Sequence, residues 1–186
     1  YAQAVRIAFP MTAYTEACVL VQDLRKCPGG VLAHAYHDAW PVVTFGLVTE
    51  HVSQAMLTHF ATVLRDEYGD KWVLERTRQE VVLDNKGQDW EPSAEEYHES
   101  SKRYVGRIAS LEVECFVERE RGSSYWSAWQ NCKHLAFNFW WRVLQQYDNN
   151  HGHTFGQFCQ DVEIDYNAQV RGMKPGQVAL WGCAIS

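Results

Sequence analysis

The side chains best suited to chemistry in this chain are six cysteines, Cys18, Cys27, Cys115, Cys132, Cys159 and Cys183, and eight histidines. A thiolate is both a nucleophile and a metal ligand, and two thiols can oxidise to a staple, so spacing has to choose among these uses. No Cys-x-x-Cys pair occurs, and no cysteine pair is followed by a histidine at finger-like distance. That argues against a structural zinc module and against a thioredoxin-type redox site. An even count permits three disulfides; the alternative is a set of buried free thiols behaving as small hydrophobes. If all six are paired, a cysteine nucleophile is unattractive, because a disulfide sulfur is not a thiolate.

Acid–base and metal chemistry find less support. His34 and His37 stand near Asp38, but on a strand positions i and i+3 point to opposite faces. His151 and His153 point the same way if the chain is extended there, and they are the better binding or acid–base candidates. Two ligands make a poor site, so no metal and no cofactor is expected. Glu112, Glu114 and Glu118 would share one strand face at a spacing that suits a carboxylate pair, although an exposed sheet face needs solvated charges in any case. No Gly-x-Ser-x-Gly elbow, phosphate-binding glycine loop or His-Glu-x-x-His occurs. Trp90, between Asp89 and Glu91, has little local apolar company and is a candidate anchor for a partner, or else a plug for its own segment.

The elements that would position these residues follow from periodicity. Val5, Ile7 and Phe9 alternate as in a strand, and Thr12 then caps a helix whose Tyr14, Ala17, Cys18, Val21 and Leu24 fall at helical spacing. On one helix Cys18 and Cys27 would lie about 13 Å apart, beyond the roughly 7 Å that a disulfide spans. Either the helix ends before Pro28-Gly29-Gly30 or each cysteine bonds elsewhere. Strands are expected over 31–37 and 42–48. A helix capped by Thr49 follows, with Val52, Ala55, Met56, Phe60, Val63 and Leu64 as its stripe and Gly69 as its stop.

The pattern is extended from Trp72 to Leu83, and Asp84-Asn85-Lys86-Gly87 reads as a turn. Residues 86–103 form a polar insertion in which Ser93-Ala94-Glu95-Glu96 has the form of a capping box. A half-buried strand is expected through Leu111, Val113, Cys115 and Val117. A long aromatic helix follows from Ser123 or Ser124 to about Tyr147, with Trp129, Cys132, Ala136, Trp140 and Val143 on its main stripe. After a loop at 149–153, strands are expected at 162–166 and 178–185. The order β-α-β-β recurs at both ends, so 1–186 reads as a single α+β domain with pseudo-repeat halves 1–85 and 104–186. Its expected architecture is a mainly antiparallel sheet with two or three helices packed on one face, stapled by helix-to-sheet disulfides.

Composition narrows the function classes. At 186 residues and 46% hydrophobic, the chain can bury a substantial core, about 70% of its unfolded surface. With 17 Lys plus Arg against 23 Asp plus Glu, the net charge of -6 does not fit a basic nucleic-acid binder. No apolar run reaches the roughly 18 residues of a transmembrane helix. The chain opens at Tyr1 without an initiator methionine, as a processed mature or trimmed form would.

Asn131-Cys132-Lys133-His134-Leu135 on a helix, with Val178-Ala179-Leu180-Trp181-Gly182-Cys183-Ala184 near the end, resembles a pattern in the necrosis-inducing effectors and related killer toxins of fungi. The resemblance implies a secreted, extracellular, disulfide-bonded, non-enzymatic α/β sandwich. It also implies that Cys132 and Cys183 lie near one helix–sheet interface, and that the partner is a host or competitor protein or cell-surface target, a virulence role. The leading expectation is therefore a toxin-like effector that binds rather than catalyses. The alternatives are a secreted hydrolase-type enzyme using histidine and acid residues, and a carbohydrate-binding module with exposed aromatics.

Overall fold

The computed structural model describes residues 13–23, 58–77, 80–93, 97–122, 132–145 and 154–171. Five strands come first: β1 (Ala13–Asp23), β2 (Thr58–Asp66), β3 (Lys71–Arg76), β4 (Val81–Gly87) and β5 (Tyr97–Ala109). Three helices follow: α1 (Ser110–Arg121), α2 (Cys132–Phe139), continued by a π-helical turn over Trp140–Leu144, and α3 (Phe155–Arg171). Strands then helices is the α+β pattern. The sheet is antiparallel throughout, in the order β4-β3-β2-β1-β5.

The sheet has an interior strand where a helix was expected. β1 is paired on both sides and buried on both faces, with Ala17, Val19 and Val21 toward one and Cys18 and Leu20 toward the other. A strand buried on both faces reads as a continuous apolar run, and any such run contains helically spaced positions. β2 likewise replaces the second half of the expected Thr49–Gly69 helix. Phe60 and Leu64 do share a face, but i and i+4 do so in a strand as well as in a helix. Gly69 does stop the element. It sits at φ 90° in the β2–β3 turn, where Asp66 Oδ1 accepts from the main-chain N–H groups of Tyr68 and Asp70, both at 2.9 Å. The only residue type at home there is glycine.

The segment from Trp72 to Leu83 is extended as expected, but it carries two paired antiparallel strands, β3 and β4, rather than one. Asp84 to Gly87 is not its turn but the end of β4, with Gly87 at φ 81° opposite Lys71. Residues 97–103 of the polar insertion begin β5, which pairs with β1.

Two segments expected as strands are helices. In α1, Val113, Phe116, Val117 and Glu120 are buried while Leu111 and Cys115 are exposed, so the apolar alternation coincides with the helical stripe only at Val113 and Val117. In α3 the stripe is Phe158, Val162 and Tyr166, each at most 1% exposed. Thr154 and Gln157 cap α3 reciprocally, Thr154 Oγ1 accepting from the Gln157 N–H at 3.3 Å and Gln157 Oε1 from the Thr154 N–H at 2.9 Å. That capping box is a sequence signal for a helix start. The aromatic helix is found as expected over 132–145. The strands expected at 5–9, 31–37, 42–48 and 178–185, the loop at 149–153, and the helix portions at 49–57 and 123–131 lie outside the described residues.

All three helices join one core with Ala17, Val19, Val21, Phe60, Leu64 and Leu74 of the sheet. Phe116 of α1 meets Phe139 of α2 edge to face at 5.3 Å, and Arg76 of β3 donates to the Glu120 carbonyl at 2.9 Å, which ties the sheet to α1 through buried groups. Among the described residues no helix is long and apolar enough to cross a membrane.

Phe116 is 1% exposed, so Phe116→Ala should cost about 3–5 kcal/mol in urea-denaturation stability. A loss below about 1 kcal/mol would contradict the packing of α1 on the sheet.

Candidate active site

The β2–β3 ladder runs from Arg65↔Lys71 to Thr62↔Leu74, although β2 extends back to Thr58 and β3 on to Arg76. Beyond Thr62 the two strands are no longer paired with each other, and Cys132 of α2 lies beside Phe60 at this opening. His59 on β2 and Glu75 on β3 point to the same side, because Val63 faces Val73 and both residues are an even number of positions away. His59 Nε2 lies 3.2 Å from Glu75 Oε2. The imidazole also interacts with the Cys132 sulfur, by charge and by a side-chain hydrogen bond. The Phe60 main-chain N–H also donates to the sulfur.

This is a Cys–His–Glu chain of hydrogen bonds drawn from three elements. Its members are sheltered: Cys132 is 8% exposed, the His59 side chain 14% and that of Glu75 29%. Burial works against the Cys132 thiolate, but the charge and hydrogen bond of His59, the Phe60 N–H and the charge of Lys133 outweigh it and hold the thiol below its ordinary range. Burial likewise opposes charge on His59. The charge and hydrogen bond of Cys132 and the hydrogen bond and charge of Glu75 prevail, raising His59 from the ordinary 6.5 to about 10. Glu75 is lowered, first by its hydrogen bond to His59, against the effect of burial. These shifts favour a thiolate–imidazolium pair with a carboxylate behind it. Such an environment makes a cysteine a nucleophile rather than an inert core thiol.

The residues singled out from sequence are dispersed. Cys18, Cys115, Cys132 and Cys159 are free, so no disulfide joins the described residues. Cys18 is buried on β1, its Sγ 3.8 Å from the Ser100 carbonyl, and burial pushes its thiol up to about 11. Cys159 on α3 is pushed by burial to about 12. Cys115 is exposed on α1. Trp90 is partly buried; its carbonyl accepts from Lys71 Nζ at 2.7 Å. It lines a shallow pocket on the sheet face away from the helices, with Glu16, Cys18, Arg65 and Arg103. There Glu16 pairs with Arg65 at 3.7 Å and with Arg103 at 3.4 Å. Glu112, Glu114 and Glu118 lie on a helix rather than along a strand face, and Glu118 pairs with Arg121 at 2.5 Å. Cys27, His34, His37, His151, His153 and Cys183 lie outside the described residues. Among the described residues no group of three His, Cys, Asp or Glu side chains is placed to hold a metal ion.

His59 and Glu75 were not singled out from sequence. The available signal is a cysteine on a helix with histidine elsewhere in the chain, and pairing of all six cysteines points away from it. Comparison with protein-family models, with curated proteins and with solved structures gives no match.

Iodoacetamide at neutral pH should alkylate Cys132 before Cys18 and Cys159, read by peptide mapping, and His59→Gln should abolish that preference. Equal labelling of the three thiols in the unmodified protein would contradict the ion pair.

Proposed function

We propose that the protein is a cysteine-dependent acyl-transfer enzyme, a hydrolase or transferase acting on an ester, thioester or amide. The observation that carries this reading is the Cys132–His59–Glu75 chain, in which the thiol is lowered and the imidazole raised. The Cys132 thiolate attacks the acyl carbon, forming a C–S bond and pushing the carbonyl electrons onto oxygen. The Phe60 N–H supplies a donor on the sulfur's side of that oxyanion. Collapse breaks the bond to the leaving group, which takes the proton from His59. Neutral His59 then takes a proton from water or from an acceptor hydroxyl or amine as it attacks the thioester. Cys132 leaves as a thiolate and the His59 proton is restored. Glu75 keeps the imidazole oriented through both steps, as the acid of a catalytic triad does.

This reading takes up the alternative of a hydrolase-type enzyme using histidine and acid residues, with His59 and Glu75 in those roles. The effector expectation drew on paired cysteines, and the described residues add no disulfide in its support. Secretion and a host or competitor target rest on the cysteine count, the opening at Tyr1 and the resemblance of the 131–135 and 178–184 segments, and no residue of the site bears on them.

With p-nitrophenyl acetate, the protein should release nitrophenol and gain one acetyl group, located on Cys132 by mass spectrometry. Cys132→Ala should lose both, and His59→Ala should lower kcat/KM by about 10²–10⁴-fold. Turnover surviving in Cys132→Ala would overturn the proposal. The pH profile follows from the sign of the shifts. The imidazolium is present below about 10 and the thiolate persists below the ordinary thiol range, so activity should hold through neutral pH and fall as pH rises through about 10. A rise in rate only above the ordinary thiol range would signal an unassisted cysteine.

A further inference from the structure

Behind the Cys–His pair lies a second polar cluster that the chemistry above does not use. One oxygen of Glu163, Oε1 on α3, accepts from Thr58 Oγ1 at 2.7 Å and from Lys133 Nζ at 2.5 Å. Thr58 immediately precedes His59 on β2, and Lys133 immediately follows Cys132 on α2. The same ammonium lies 4.9 Å from the centroid of the Phe60 ring, the residue on the other side of His59. Thr58 is 2% exposed and Glu163 8%, and the Lys133 side chain is 12% exposed. A lysine this sheltered must be paired, since an uncompensated buried charge is costly.

Resting on the proposed Cys–His chemistry, we infer that Glu163 is a positioning residue for it: by binding the chain neighbours of both His59 and Cys132 through one oxygen, it sets the distance between sulfur and imidazole. β2 and α2 are brought together at the splayed end of the β2–β3 ladder, where the main-chain pairing that would otherwise fix β2 is absent on that side. Three side chains from three elements take over that task, with α3 as the anchor. A misplacement of about 1 Å in a reacting pair costs about 10²-fold in rate, so a clamp on the residues flanking the pair acts on the chemistry without touching substrate. The clamp also holds the Lys133 charge beside the sulfur, where it favours the thiolate.

The groups facing Cys132 are His59 from β2, Glu75 behind it from β3, Lys133 from α2 with Glu163 of α3 behind it, and Cys159 from α3. Removing the Glu163 carboxylate or the Thr58 hydroxyl should loosen the first of these contacts and release the third. The test is the rate of Cys132 alkylation by iodoacetamide against pH, followed by peptide mapping in the full chain. Thr58→Val and Glu163→Gln should each raise the midpoint of the profile by about one pH unit, slowing alkylation about tenfold at a pH below both midpoints. Thr58→Ser, which keeps the hydroxyl, should retain the unmodified profile. Variants that keep the native circular dichroism spectrum and an unmoved midpoint would overturn the clamp while leaving the Cys–His pair standing. An ordinary thiol midpoint in the unmodified protein would overturn the pair, and the clamp with it. Should Glu163→Gln fail to fold, the milder Thr58→Val decides.

Discussion

The site depends on keeping a charged sulfur and a charged imidazole together where water is scarce. Each ion costs several kcal/mol to desolvate, and their attraction repays this only when the geometry is good and further hydrogen bonds complete it. Here the completing bonds come from Glu75 to the imidazole and from the Phe60 N–H to the sulfur. Remove the shelter and the pair is screened. Remove a partner and the remaining charge is stranded, so the protonation states revert toward those of isolated groups.

The fold supplies this place by leaving a defect in an otherwise regular sheet. β1 and β2 pair from Asp23↔Thr58 to Tyr14↔Asp66, so β2 is fixed along one edge for its whole length. On the other edge its ladder to β3 stops at Thr62↔Leu74. The main-chain groups of β2 beyond that point are available to something other than a strand, and the start of α2 takes the position. Leu135, Ala136 and Phe139 hold α2 in the common core, so the position of Cys132 is set by apolar packing one turn further along the helix. Apolar burial thus stabilises the element and the polar contacts set its register at the strand.

Much of the architecture was legible from periodicity, and the failures share a cause. The antiparallel α+β class, the extended chain of β3 and β4 and the aromatic helix carrying Cys132 were readable because Trp72, Leu74 and the 132–144 stripe sit in half-buried elements whose periods differ clearly. β1 was misread because burial on both faces erases alternation. β2, α1 and α3 were misread because their markers, such as Phe60 and Leu64 or Val113 and Val117, stand four apart, a spacing that keeps one face in a strand and a helix alike. Local chemistry could have arbitrated at α3, where Thr154 and Gln157 form a capping box. The site was less legible. Cys132 stood out, but its partners depend on which strands the fold sets side by side, and nothing local to His59 or Glu75 announces that. An even cysteine count permits pairing, and a paired sulfur is no nucleophile, so the count points away from Cys132.

The central claim is the charge state of the pair, and the ring-nitrogen NMR signals of His59 report it directly. At about pH 8, above the ordinary histidine range, the account predicts an imidazolium at His59 in the unmodified protein and a neutral ring in Cys132→Ala. A neutral His59 in both proteins would contradict it.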